Sequence, residues 1–312
     1  MGLIVAAVLA AVFAAVVVTS GRNARRASRI AATCLVTAAL GGCAWLDARQ
    51  QLLALRPTAG RPADVTADAG LRPGDERYTL PVPAAGDGQQ RLAIWWMPHP
   101  DPQAPTLLYL HGTFRNLYKN LPKIVAIRDA GFAVLAVDYR GWGDSTSIVP
   151  SEDTINADAA LAFTELVRRQ PDAGRRVVFG HSMGGAVAVR LASGLHHGSD
   201  YGALVLESTF TRLPDVAAEA GFVGRVAAQL TTLDFDSISR IGRIDAPLLM
   251  LHGSADTTVP VVLGQRLRDA APPGVRWVEI PGGTHSQLHA EAPEVYRQAL
   301  QQLIQRLQPT PK

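Results

Sequence analysis

Cysteine is nearly absent from this chain: among 312 residues only Cys34 and Cys43 carry a thiol, and both fall within the first 45. The remainder therefore holds no disulfide and no cysteine-built metal site. No HExxH helix and no glycine-rich phosphate loop occur, so zinc-peptidase and nucleotide chemistry lack their residues. The pair His196-His197 lies in a Gly/Ser-rich stretch and reads as solvated turn rather than as metal ligands. We expect no metal and no cofactor. A large excess of one charge sign is missing too. The formal net charge is +3, but residues 1–45 contain four arginines and no acid, leaving 26 basic against 27 acidic residues in the rest. Such a near-neutral body argues against a nucleic-acid partner.

The first 43 residues follow rules of their own. Residues 2–18 form an apolar run rich in Ala and Val, marginally long enough to span a bilayer. Arg22, Arg25, Arg26 and Arg29 follow, and then a shorter apolar run from Ile30 to Leu40 that ends in Leu40-Gly41-Gly42-Cys43. That ending resembles a bacterial lipobox, in which small residues precede a cysteine that is lipidated after cleavage. On this reading Cys43 anchors the mature chain to a membrane of the cell envelope. The alternative is a transmembrane anchor formed by residues 2–18, with 30–44 as a second hydrophobic element. Residues 44–75, rich in Ala, Arg, Pro and Gly, read as a short amphipathic piece (Trp45 to Leu55) and a linker. Residues 76–312 suit one large α/β domain.

Within that domain apolar strand patterns alternate with helical ones. Strands are expected near 91–97, 106–110, 132–137, 176–180, 203–206, 247–251 and 275–280, and helices near 116–130, 153–169, 183–194, 213–232, 261–270 and 292–307. Such alternation means a mostly parallel sheet with helices on both faces. Strand 91–97 alternates less clearly and suits an antiparallel edge. A ligand should bind beyond the C-terminal ends of the strands. Between Phe210 and Ala246 there is room only for a short cap. Its Leu213, Val216, Phe222, Val223, Val226, Leu230, Leu233 and Phe235 either line an acyl pocket or serve as packing residues.

The stretch Val177-Val178-Phe179-Gly180-His181-Ser182-Met183-Gly184-Gly185-Ala186 carries the chemistry. An apolar strand runs into G-x-S-x-G, and an Ala/Val-rich helix begins at once. This is the pattern of a nucleophile elbow, where Gly180 and Gly184 leave room for a tight strand-to-helix turn and Ser182 is presented at its tip. An acid and a histidine should follow in that order. The strand at 247–251 opens into a turn-rich loop containing Asp256, and the strand at 275–280 opens into Pro281-Gly282-Gly283-Thr284-His285-Ser286. We therefore assign Ser182 as nucleophile, Asp256 as the acid and His285 as general base. The rival His289 falls on the approach to the last helix. An oxyanion would be held by the backbone N–H of Met183 and by that of Thr113, in the loop His111-Gly112-Thr113-Phe114 after the strand at 106–110; Gly112 or Phe114 replaces Thr113 if the loop path differs slightly. His111, Glu207 and the pair Asp138 and Arg140 read as structural, the last two bonded to each other.

Together Leu110-His111-Gly112-Thr113, Val137-Asp138-Tyr139-Arg140-Gly141-Trp142-Gly143-Asp144-Ser145, Gly180-His181-Ser182-Met183-Gly184-Gly185, Leu206-Glu207-Ser208-Thr209-Phe210, the Asp256 loop and Gly283-Thr284-His285-Ser286 resemble the serine hydrolases of the α/β-hydrolase fold. Within them the chain is most similar to the group of the Bem46 protein and the ABHD12- and ABHD13-type lipases. The resemblance spans residues 76 to 305 and implies hydrolysis of carboxylic esters through an acyl-enzyme on Ser182, as an esterase, lipase or lysophospholipase. The implied partners are a small-molecule or lipid ester and a membrane surface reached through the N-terminal anchor. Peptidase and thioesterase chemistry use the same residues. The alternative is a catalytically silent, membrane-anchored scaffold or lipid-binding accessory protein, which would have no need of a complete Ser-Asp-His set.

Overall fold

A computed structural model describes residues 41–42, 45–65, 70–83 and 89–307. The chain divides into two compact units, Met1–Ala54 and Leu55–Lys312. In the first, residues 45–54 are helical, and the Arg49 guanidinium lies 5.3 Å from the centroid of the Trp45 ring. Cys43 and the apolar runs before it lie outside the described residues, and among the described residues no helix is long and apolar enough to cross a membrane.

The second unit is built on eight strands: β1 (Glu76–Pro81), β2 (Arg91–Met97), β3 (Thr106–Leu110), β4 (Ala133–Asp138), β5 (Arg176–His181), β6 (Ala203–Glu207), β7 (Leu248–Gly253) and β8 (Arg276–Ile280). Its helices are α1 (Leu117–Asp129), α2 (Glu152–Arg169), α3 (Met183–Ala192), α4 (Leu213–Glu219), α5 (Phe222–Leu230), α6 (Val261–Asp269), α7 (Leu288–Glu291) and α8 (Pro293–Leu307). The strands form a single sheet in the order β1-β2-β4-β3-β5-β6-β7-β8. β2 runs antiparallel to both its neighbours, and all pairs from β4 to β8 are parallel. The antiparallel character expected of 91–97 is therefore present, but the edge belongs to β1, a strand the sequence pattern did not suggest.

The apolar runs account for the burial. β3, β4, β5, β6 and β7 are buried along their whole length, as expected for parallel strands covered on both faces. Tyr109 and Phe179 stack across β3 and β5 with centroids 5.3 Å apart. Fully burying an apolar side chain of this size stabilises by roughly 1.5–3 kcal/mol. Two helices are capped by side chains: Ser151 and Thr154 form a reciprocal capping box at the start of α2, and Asn116 caps α1, each worth about 1 kcal/mol.

Register decides where the chemistry can occur. Leu110 pairs with Gly180, His181 with Glu207, Glu207 with Leu251, and Gly253 with Ile280. The C-terminal ends of five strands thus lie side by side, and the loops leaving β3, β5, β7 and β8 emerge from one edge. Residues 57–60, expected in the linker, are tied to this unit: Gly60 N donates to Gly143 O at 2.7 Å, Gly143 N to Thr58 O at 2.8 Å, and Asn116 Nδ2 to the carbonyls of Thr58 and Gly60.

The helix expected over 213–232 is two, α4 and α5, separated by Gly221 at φ 90°. Of the eight apolar residues there, Leu233 and Phe235 are core, Leu213 and Val216 are half-buried, and Phe222, Val223, Val226 and Leu230 face solvent.

Candidate active site

β5 leads directly into α3 through Ser182, whose backbone sits at φ 56° and ψ −123°. A non-glycine residue held there stores roughly 1–3 kcal/mol of strain. Close approach of the backbones explains the flanking glycines: a Cβ on Gly180 would lie 2.2 Å from the Gly184 carbonyl oxygen, and one on Gly184 would lie 2.1 Å from that of Leu110. The turn is pinned on both sides. Ser182 N donates to Glu207 O at 2.9 Å, and Thr209 Oγ1 donates to Ser182 O at 3.0 Å.

Three residues from three loops converge on this turn. Ser182 Oγ lies 2.9 Å from His285 Nε2, and His285 Nδ1 lies 2.7 Å from Asp256 Oδ2. A neutral imidazole satisfies both contacts with its proton on Nδ1, donating to the carboxylate, while Nε2 accepts from the serine hydroxyl. Asp256 Oδ1 is fixed by the N–H groups of Thr258 and Val259 at 2.9 and 2.8 Å. Burial alone would raise the Asp256 pKa; hydrogen bonds from His252 and His285, together with the Val259 amide, outweigh it and hold the carboxyl well below its usual range. The structure thus brings Ser182, His285 and Asp256 into one hydrogen-bonded series, an arrangement able to move a proton off a hydroxyl as it attacks.

Two further histidines support the series, and neither was assigned a part from the sequence. His181 Nε2 donates to the backbone carbonyl of His285 at 3.0 Å, with the two rings 5.1 Å apart. Burial, and then the nearby charge of Lys123, holds the His181 pKa well below the usual histidine value. His252 Nε2 lies 2.9 Å from the Val259 carbonyl and 3.5 Å from Asp256 Oδ2, bracing the acid loop from beneath. His289 stands apart on α7, its ring 6.2 Å from that of Tyr296.

The loop after β3 closes over the serine: a Cβ on Gly112 would come 2.9 Å from Ser182 Cβ. Among the described residues the Thr113 amide donates to no protein acceptor. Met183 opens α3, and its N–H is one of the first-turn donors that have no partner within a helix. Both amides named from the sequence therefore belong to backbone that borders Ser182.

The residues read as structural form two buried groups. Asp138 does not bond Arg140. Arg140 pairs instead with Asp158 of α2, Nε to Oδ1 at 2.8 Å, while Asp138 accepts from Leu117 N at 2.9 Å and lies 3.4 Å from His111 Nε2. Burial raises the pKa of Asp138, with His111 opposing. Glu207 receives Lys123 Nζ on one oxygen and the Tyr296 hydroxyl on the other at 2.8 Å. This fully buried set ties α1, β6 and α8 together directly behind the elbow.

In front of Ser182 lies a cavity of about 350 Å³. Its walls come from the loops after β3, β5, β7 and β8, and it includes none of the eight apolar residues of the 210–246 segment. Thr113, Arg115, Thr257, Thr258, Ser286 and Gln287 bring polar groups to a lining that also includes the Phe114 ring.

Residues 102–241 match the family described as serine aminopeptidase, S33. An uncharacterized protein of Mycobacterium tuberculosis is 35% identical over 198 residues, which cover 63% of this chain and 68% of that protein. The α/β-hydrolase domain-containing protein WAV2 of Arabidopsis thaliana is 31% identical over 237 residues, covering 70% and 76%. The lysophosphatidylserine lipase ABHD12 of Danio rerio is 31% identical over 215 residues, covering 62% of this chain and 54% of the lipase, so the chain spans about half of that protein. Among solved structures an esterase of Pyrococcus furiosus superposes with a TM-score of 0.63 at 20% identity, over 80% of this chain and 97% of the esterase, a likeness of fold. With a relative of the α/β-hydrolase family above 30% identity matched over more than two thirds of its own length, this chain belongs to the α/β-hydrolase family and is a hydrolase.

Proposed function

We propose that the chain cleaves carboxylic esters through an acyl-enzyme on Ser182. The observation that carries this reading is the unbroken series Ser182 Oγ, His285, Asp256, with contacts of 2.9 and 2.7 Å. His285 takes the hydroxyl proton as Ser182 attacks the ester carbonyl, and returns it to the departing alcohol. Asp256 holds the ring in the Nδ1–H tautomer and stabilises the imidazolium. The oxyanion of the tetrahedral intermediate is held by the amides of Met183 and Thr113. Water then repeats the cycle on the acyl-enzyme and releases the acid.

A silent scaffold would retain neither the strained serine nor the braced acid loop without cost, which favours the catalytic reading. The relatives' names support ester bonds, one being a lysophosphatidylserine lipase and one fold neighbour an esterase. The serine aminopeptidase match makes amide bonds the second arm of the test. The full chain in nonionic detergent should hydrolyse p-nitrophenyl esters of graded acyl length, and Ser182→Ala should not. Turnover of peptide p-nitroanilides in preference to esters would replace the ester reading with a peptidase, and no turnover of either by folded protein would favour the scaffold.

We further propose that lipid on Cys43 attaches the chain to the membrane of the cell envelope. Intact mass and detergent partitioning test this: Cys43→Ser should lose the lipid mass and leave the detergent phase. Unchanged partitioning would instead favour a transmembrane anchor at residues 2–18.

A further inference from the structure

Several arginines of the larger unit are neutralised by carboxylates: Arg128 by Asp75, Arg140 by Asp158, Arg169 by Glu76 and Glu165. Arg115 is not. It follows the oxyanion loop directly, is half-buried and lines the cavity in front of Ser182. Its backbone is held, with N donating to Thr113 O at 2.9 Å and O accepting from Asn120 Nδ2 at 3.3 Å. Its guanidinium forms no ion pair and no hydrogen bond with any described residue. Among the described residues no carboxylate lines the cavity, whose other polar side chains are hydroxyls, amides and imidazoles.

The charge is positioned to act on the site. His181 and His289, both kept uncharged chiefly by burial and then by Lys123, are pushed further in that direction by Arg115. A guanidinium withdrawn from part of its hydration, without a counter-ion, leaves its donors under-used. Its planar fork of N–H groups matches a carboxylate or a phosphate.

We propose that Arg115 is a specificity-determining residue that receives an oxyanion on the ester, a carboxylate or phosphate, so that the preferred substrates are negatively charged esters. This rests on the acyl-enzyme reading of the same cavity. The neutral hydroxyl and amide lining around it would complete the coordination of the anion, while the ester carbonyl lies toward Ser182.

The test compares charged esters with neutral partners on the full chain: 4-acetoxybenzoate with its methyl ester, 4-acetoxyphenyl phosphate with phenyl acetate, and the p-nitrophenyl half ester of adipic acid with the corresponding methyl diester. The charged-to-neutral ratio of kcat/KM should fall about 10- to 100-fold in Arg115→Met and by an intermediate factor in Arg115→Lys, which keeps the charge but loses the fork. Because the ratio cancels the amount of active protein, partial misfolding of a variant does not mimic the effect. The first two pairs tell carboxylate from phosphate on the alcohol side, and the third reads the acyl side. Ratios unchanged by both variants in all three pairs would overturn the proposal. If the wild type turns over none of these esters, the acyl-enzyme reading fails, and binding decides the anion site separately. In Ser182→Ala, a preference for 4-acetoxybenzoate over its methyl ester that disappears with Arg115→Met would sustain the site, and equal affinities would overturn it.

Discussion

The loops at the C-terminal edge of the sheet and the α4–α5 pair both lie between strands, yet they are built on opposite terms. In the first, the reacting side chains are held by specific partners: Ser182 through its N–H, its carbonyl and its hydroxyl, and Asp256 through two amides and His285. In the second, Phe222 and Val223 are 75% and 79% exposed, and the cavity does not reach them. The contrast teaches that short spacing motifs encode backbone geometry, whereas an apolar helix face encodes only the need for cover.

The strongest way to break this contrast is at the proton relay. Ser182→Ala or His285→Ala in the full chain should reduce kcat on p-nitrophenyl esters by roughly 10⁵–10⁶-fold. Asp256→Asn should cost about 10⁴-fold, because it reverses the donor and acceptor that set the imidazole tautomer while leaving the nucleophile in place. Undiminished turnover in Asp256→Asn would remove that residue from the proposed mechanism.

Next in size are the effects on folding. Gly184→Ala puts a Cβ 2.1 Å from the Leu110 carbonyl oxygen, so β3 and the elbow must separate. We expect a loss of roughly 3 kcal/mol in urea unfolding, at the upper end of overpacking. A smaller effect isolates the strain itself: Ser182→Gly should be about 1 kcal/mol more stable than Ser182→Ala, since both lose the hydroxyl and only glycine accepts φ 56° freely. Equal midpoints for the two variants would mean that the elbow stores no strain.

What was legible in the sequence divides along the same line. The order of strands and helices, the elbow and the separation of Asp256 and His285 into loops after successive strands follow from apolar runs ending in Gly-rich turns. β1 was not legible: in Glu76–Pro81 no residue is fully buried, so no apolar run marks it. The pairing of Asp138 with Arg140 was expected from proximity in sequence, but Arg140 finds Asp158 18 residues away on α2. His181 and His252 stand in plain view at strand ends, and the available signal was only that both interrupt apolar stretches entering the site. Which carbonyl or carboxylate each meets depends on strand register, which composition does not encode.

The smallest expected effect is also the sharpest test of the comparison. Phe222, Val223, Val226 and Leu230 have a spacing that suits an inward-facing acyl pocket as well as an outward face, and in the structure they are exposed. Phe222→Ser combined with Val223→Ser removes little buried area, so unfolding should shift by no more than about 0.5 kcal/mol. The kcat/KM for short acyl esters should stay within about twofold, as expected for residues outside the cavity. If instead long-chain esters lose an order of magnitude while short ones do not, these side chains contact the acyl group during turnover. The two regions would then be parts of one binding surface that the cavity in front of Ser182 only begins.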